Sequence, residues 1–168
     1  MASIVMDIDN TLCDWYAVWE QLMAASMMEV RVVNRTTFDL GTRYGLSDAQ
    51  VRYLWASDKL PALLRSAPRT GIRLPADFDI VTARGTSGGR NALATRRATN
   101  AWCRDNFGKE PTYVSTEARP AWIAEHGYAV AYDDNPDTLR ELVKRGITAR
   151  AIAYGYNRGI AGVDYVRG

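Results

Sequence analysis

The sequence predicts an α/β fold: a Rossmann-like parallel sheet flanked by helices, with a small all-helical cap inserted after the first strand. Three observations predict it. Five short apolar runs, at Ser3–Ile8, Phe78–Thr82, Thr112–Ser115, Ala129–Tyr132 and Ala149–Ala153, are bounded by turn or helix-start residues. Helical patterns separate the later runs, and strand–helix alternation calls for a parallel sheet. The first, fourth and fifth runs are apolar on both faces, as strands covered on two sides must be.

Taken in order, the first run leads into a long stretch without a convincing strand. It holds three helical patterns, Asp14–Met28, Ser47–Ala56 and Asp58–Arg65. Residues 12–75 are therefore expected to form the cap, and 1–11 with 76–168 the core, with Arg69–Pro75 as the return linker. After the second run, Asn91–Phe107 sets Leu93, Ala94, Ala98, Ala101 and Trp102 at helical spacing and stops at Gly108. Pro120–His126 opens on a proline suited to a first turn and stops at Gly127. Asn135-Pro136-Asp137 reads as a capping Asn and an N1 proline ahead of Leu139, Leu142 and Val143, with a stop at Gly146.

A chain of 168 residues with 47% hydrophobic and 24% charged residues matches one globular domain that needs no staples. Cys13 and Cys103 show no metal or disulfide spacing and read as reduced thiols of a cytoplasmic protein. No run approaches the roughly twenty apolar residues of a membrane span, and the N-terminus lacks the basic start of a secretion signal. A net charge of +2 is too small to argue for nucleic acid by itself, although Arg84, Arg90, Arg96, Arg97 and Arg104 cluster in sequence. The single histidine, His126, reads as a favourable cation at a helix end.

The chemistry is concentrated at the ends of the predicted strands. The first run ends in Asp7-Ile8-Asp9-Asn10-Thr11, and alternate strand residues share a face, so Asp7 and Asp9 address one site. Two carboxylates in one pocket repel, so one can stay ionised as a nucleophile while the other carries a proton. The same five residues also fit a plain helix cap. A second acidic pair, Asp133-Asp134, follows the fourth run, and carboxylates are costly to cluster unless a cation sits among them. Magnesium, which favours carboxylate oxygens, suits these two together with Asp7. The second run ends in Thr82-Ala83-Arg84-Gly85, where a hydroxyl, a guanidinium and a glycine-rich turn suit a phosphate.

In this order the pieces resemble the haloacid-dehalogenase superfamily: Asp-x-Asp-x-Thr at Asp7–Thr11, a hydroxyl at Thr82, a basic residue, then the acids Asp133 and Asp134. The resemblance spans nearly the whole chain. It implies a phosphatase with Asp7 as nucleophile and Asp9 as proton donor. Magnesium would sit on Asp7, Asp9 through its backbone carbonyl, Asp133 and Asp134, and phosphate on Asn10, Thr82, Ala83, Arg84 and Arg119. The basic position is usually Lys. Here the slot after the third run holds Arg119, which Pro120 is expected to keep out of the following helix. The chain is similar to the cytosolic type C 5′-(deoxyribo)nucleotidases in its cap, in Asp133-Asp134-Asn135-Pro136-Asp137 and in Tyr156-Asn157. It is similar to the phosphatase domain of polynucleotide kinase in Thr82-Ala83-Arg84 and Arg97–Trp102. The first likeness implies nucleoside monophosphates as small-molecule partners and the second implies 3′-phosphorylated nucleic-acid ends. A non-catalytic phosphate binder is the third alternative. Seven cap aromatics (Trp15, Tyr16, Trp19, Phe38, Tyr44, Tyr53 and Trp55) could stack a base or fill the cap's own core.

Overall fold

The computed structural model describes residues 3–168; residues 1 and 2, assigned above to the start of the core, lie outside them. Six strands form one parallel sheet: β1 (Ile4–Met6), β2 (Asp79–Thr82), β3 (Thr112–Tyr113), β4 (Val130–Tyr132), β5 (Thr148–Ile152) and β6 (Val163–Val166). Their order is β3-β2-β1-β4-β5-β6, which places β1 between β2 and β4. The helices are α1 (Trp15–Ala25), α2 (Leu40–Tyr44), α3 (Asp48–Trp55), α4 (Leu60–Arg65), α5 (Ala92–Phe107), α6 (Arg119–Glu125) and α7 (Pro136–Lys144).

Adjacent strand residues point to opposite faces, and the core divides accordingly. Met6, Ile80 and Tyr132 join Trp19, Leu22, Leu64 and Trp102 of α1, α4 and α5 on one side. Val5, Val81 and Ala131 join Ile123, Leu139 and Leu142 of α6 and α7 on the other. The sheet is thus covered on both faces, as the apolar runs require. The α7 start also follows the sequence: Asn135 accepts the backbone N–H groups of Asp137 and Thr138, and Pro136 follows it.

The inserted helices do not stand clear of the sheet. Asp14 N–H donates to Pro68 O and Thr70 N–H to Leu12 O, so the outgoing and returning legs run together. The indole N–H of Trp102 donates to Ala67 O at 2.8 Å, fixing the return leg to α5.

Three elements differ from expectation. β6 was not expected: its exposed Asp164 and Tyr165 break the apolar pattern, as an edge strand allows. α2 was not expected either; five residues are too few to show a period, and Asp39 caps it by accepting from Thr42 N–H. Arg119 is the first residue of α6 and not a loop residue outside it. A proline at the second helical position costs nothing there, because its missing N–H has no intrahelical partner.

Candidate active site

β1 and β4 lie side by side in the register Met6↔Tyr132, and Asp7 N–H donates to Tyr132 O at 2.8 Å. The residues after each strand tip, Asp7 and Asp133-Asp134, are therefore brought together. All three are buried, at 4%, 1% and 3% exposure, and each offers an oxygen within 4.8 Å of the others. One guanidinium answers them. Nη1 of Arg119, itself buried, lies 2.6 Å from Asp133 Oδ2 and 3.0 Å from Asp7 Oδ1. Burial by itself would lower the Arg119 pKa, but Asp7 and Asp133 hold it above the ordinary value.

Asp134 is held from the other side. Its Oδ2 accepts from Tyr156 Oη at 2.6 Å and from Asn10 Nδ2 at 3.0 Å. Burial, then repulsion from Asp133, pushes its carboxyl up to about 7. Burial also raises Asp7, although Arg119 opposes it. Three carboxylates thus share one full positive charge, and two of them resist ionisation. Hard oxygen donors with an uncompensated negative charge fit a divalent cation. The residues that could hold one are Asp7, Asp133 and Asp134.

The remaining expected residues take more particular places. β1 ends at Met6, so Asp7 and Asp9 face the site from a loop and not from a continuing strand. Ile8 O accepts the N–H groups of Thr11, Leu12 and Cys13, and Asn10 adopts φ +51°, which winds this loop tightly. Asp9 turns away from the acidic cluster: its Oδ1 accepts from Nε of Arg84 at 2.9 Å and also from Nη2. Arg84, expected to serve phosphate, spends those donors on Asp9 and Cys13 Sγ, because it is buried beside both. Thr82 is fully buried and its hydroxyl accepts Arg84 N–H at 3.2 Å, shaping the turn. The Asn10 amide is likewise committed to Asp134, while Ala83 lines the open space. Cys13 is a free thiol that burial pushes up to about 11.

A cavity of about 710 Å³ lies over these groups. Asp7, Asp9, Asp134, Arg84 and Arg119 border its floor, while the inserted segment contributes Trp15, Tyr16, Phe38, Leu40, Arg52 and Trp55. Trp15 stacks on Trp55 with ring centroids 5.3 Å apart, whereas Trp19 is fully buried in the core and Tyr53 faces solvent. The cluster of five arginines does not form one surface. Arg84 is buried, Arg96 donates to Gly85 O, and Arg104 pairs with Glu110. His126 ends α6 as expected and stacks on Trp122.

Tyr156 and Asn157, marked in the sequence only by a family likeness and given no role there, both bond to Asp134. The fully buried Asn157 donates to Asp134 O and Ile152 O, each at 3.1 Å, and so holds Tyr156 over Asp134.

No protein-family model matches the sequence, and no curated protein matches it. Solved structures do match the fold. CbbY from Rhodobacter sphaeroides in complex with phosphate superposes with a TM-score of 0.54 at 17% identity, over 96% of this chain and 91% of that one. A HAD family hydrolase from Deinococcus radiodurans R1, with bound phosphate and sodium, gives 0.50 at 13% identity, over 98% and 89%. With its parallel sheet, flanking helices and acidic strand tips, the chain has the fold of the haloacid-dehalogenase-type hydrolases.

Proposed function

We propose that this chain is a magnesium-dependent phosphomonoesterase acting on nucleoside monophosphates, in the manner of a 5′-nucleotidase. The observation that carries the reading is the juxtaposition of Asp7 with Asp133 and Asp134 across neighbouring strands, around a single guanidinium. The phosphate and sodium bound in similarly folded hydrolases support it.

Asp7 is the nucleophile. One of its oxygens bonds to phosphorus as the bond to the leaving oxygen breaks, giving an aspartyl-phosphate. Asp9 delivers a proton to that leaving oxygen and then takes one from the water that hydrolyses the intermediate. Arg84 holds Oδ1 of Asp9 and leaves its Oδ2 for this transfer. Arg119 lies beside Asp7 and neutralises charge there and on the phosphate. Magnesium on Asp7, Asp133, Asp134 and the carbonyl of Asp9 would supply Lewis-acid polarisation and charge neutralisation.

A mononucleotide is favoured over a polynucleotide end because helices α1 and α3 wall the cavity, and a base could stack on the exposed face of Trp55. The test has two parts. Nucleoside monophosphates and 3′-phosphorylated oligonucleotides are assayed with magnesium, and the mononucleotides should be hydrolysed faster. Asp7→Asn should then abolish turnover while still binding substrate. Turnover by that variant would remove Asp7 from its role.

A further inference from the structure

Tyr154, Tyr156 and Asn157 follow β5, and none of them borders the cavity. They nevertheless grip one of the three clustered acids in two ways. Asn157 takes the backbone: its Nδ2 donates to Asp134 O, and its Oδ1 accepts Tyr154 N–H at 2.8 Å, which closes the loop. Tyr156 takes the side chain, its Oη donating to Asp134 Oδ2 at 2.6 Å. Asn10 Nδ2, from the loop after β1, reaches both Asp134 Oδ2 at 3.0 Å and Tyr156 Oη at 3.3 Å. The tyrosine oxygen thus accepts from Asn10 while its own proton is directed at the carboxylate. Both bonds to the carboxylate fall on Oδ2, so its plane is fixed and Oδ1 keeps no protein donor among the described residues.

The ring that carries this hydroxyl is set by the inserted segment. Phe38, which does border the cavity, meets Tyr156 edge-on with ring centroids 5.4 Å apart. Tyr154 lies parallel to Tyr156, also at 5.4 Å. The residue between them sits hard against the same segment, since a Cβ on Gly155 would come within 2.5 Å of Arg35 O. That segment is pinned in turn: Val33 and Asn34 N–H groups donate to Arg43 O, and Arg43 Nη1 donates to Arg35 O. The Arg43 guanidinium lies 3.7 Å over the ring of Tyr16, which itself meets Tyr156 edge-on. Packing accounts for the aromatic ring at position 156. It does not account for the hydroxyl, because a phenylalanine would pack equally well.

We propose that Tyr156 is a positioning residue for the cation. Its hydroxyl sets how tightly Asp134 holds magnesium, and its ring makes that affinity depend on Phe38 of the inserted segment. The inference rests on the magnesium-dependent reading given above and deepens it. Tyr156 acts through Asp134, since it does not reach the cavity where substrate would lie. A carboxylate ligand that is itself hydrogen-bonded presents its free oxygen in one orientation, and losing the group behind it costs roughly 10- to 100-fold in metal affinity.

The test titrates magnesium alone, by calorimetry, into the unaltered chain, Tyr156→Phe, Phe38→Ala and the double variant, with melts in chelator to establish that each is folded. Tyr156→Phe should weaken magnesium by roughly tenfold or more. Phe38→Ala should weaken it less, and should add nothing once the hydroxyl is gone, because the two act along one path. In turnover, Tyr156→Phe should raise the magnesium concentration needed for half-maximal rate while kcat at saturating magnesium stays near that of the unaltered chain, a split that a general loss of packing would not give. An unchanged magnesium affinity in Tyr156→Phe overturns the positioning role. A Phe38→Ala effect of full size in the double variant overturns the link to the inserted segment. If monophosphates are hydrolysed with magnesium but Tyr156→Phe binds the ion as before, the positioning role falls and the phosphatase stands. If Tyr156→Phe loses magnesium affinity but the unaltered chain releases no phosphate, the positioning role stands and the phosphatase falls.

Discussion

Asp134 gives the most direct handle on the electrostatics of the site. Burial and the neighbouring Asp133 push its carboxyl from 3.8 up to about 7, against the opposing donors Tyr156 and Asn10. The folded, metal-free chain therefore holds this proton more tightly than the unfolded chain does. The stability it contributes is full below about pH 4, drains away as the pH rises, and is gone a little above pH 7. At 1.36 kcal/mol for each tenfold in proton affinity, the upper limit is roughly 4 kcal/mol. For a domain of this size that lowers Tm by roughly 10 °C between about pH 4.5 and 8. Asp7 shifts in the same direction through burial, so these two carboxyls act with one sign. The assay is a series of thermal melts in chelator across that window, for the unaltered chain and for Asp134→Asn, which keeps the shape but cannot ionise. The variant should show a distinctly shallower decline. Added magnesium at about pH 8 should recover Tm in the unaltered chain, because a ligand that binds only the folded state stabilises it. A melting temperature that stays level or climbs with pH in chelator would refute the reasoning, as would an Asn variant with the full slope.

Three other perturbations separate chemistry from architecture. Asp9→Asn should lower kcat by roughly 10²- to 10⁴-fold on a nucleoside monophosphate but far less on p-nitrophenyl phosphate, whose leaving group needs no proton; equal losses would take Asp9 out of proton transfer. Arg119→Met strands Asp7 and Asp133 without their cation and should cost about 3–5 kcal/mol in chelator, read by denaturant titration, with Arg119→Lys regaining part. Gly155→Ala would bring a Cβ within 2.5 Å of Arg35 O, so about 1–3 kcal/mol should be lost as the 30–39 segment shifts, and an unchanged midpoint would show that this segment yields freely.

Much of this was legible in the sequence because it depends on near neighbours. The Asn135-Pro136 helix start and the twice-covered strands each announce themselves within a few residues. The partnerships were not legible, because each is set across the sheet. Nothing local says that Arg84 serves Asp9 and not a phosphate; that follows from Asp9 lying 75 residues back on the neighbouring strand's loop. Tyr156 reaches Asp134 across 22 residues and Asn10 does so across 124, so neither bond has a sequence period to betray it. β6 escaped for the opposite reason: an edge strand tolerates Asp164 and Tyr165, and its pattern resembles a loop.

The polar atoms left over at the site carry an argument of their own. A buried donor or acceptor without a partner costs about 1–3 kcal/mol, and folds rarely leave several in one place. Here Oδ1 of Asn10, Nη1 of Arg84 and Nε of Arg119 are all buried and unpaired, and all three residues border the cavity beside the acidic cluster. Each belongs to a side chain anchored through another of its polar atoms to Asp134, Asp9 or Asp133, so rotation would break that bond. Two of the three are guanidinium N–H groups held beside carboxylates they only partly neutralise. Stability withheld at such a point is recovered when an acceptor arrives, and two fixed cationic donors select an oxyanion over a neutral group. The same rigidity that keeps Asp7, Asp9 and Asp134 in place therefore leaves the floor of this cavity with donors suited to an oxyanion.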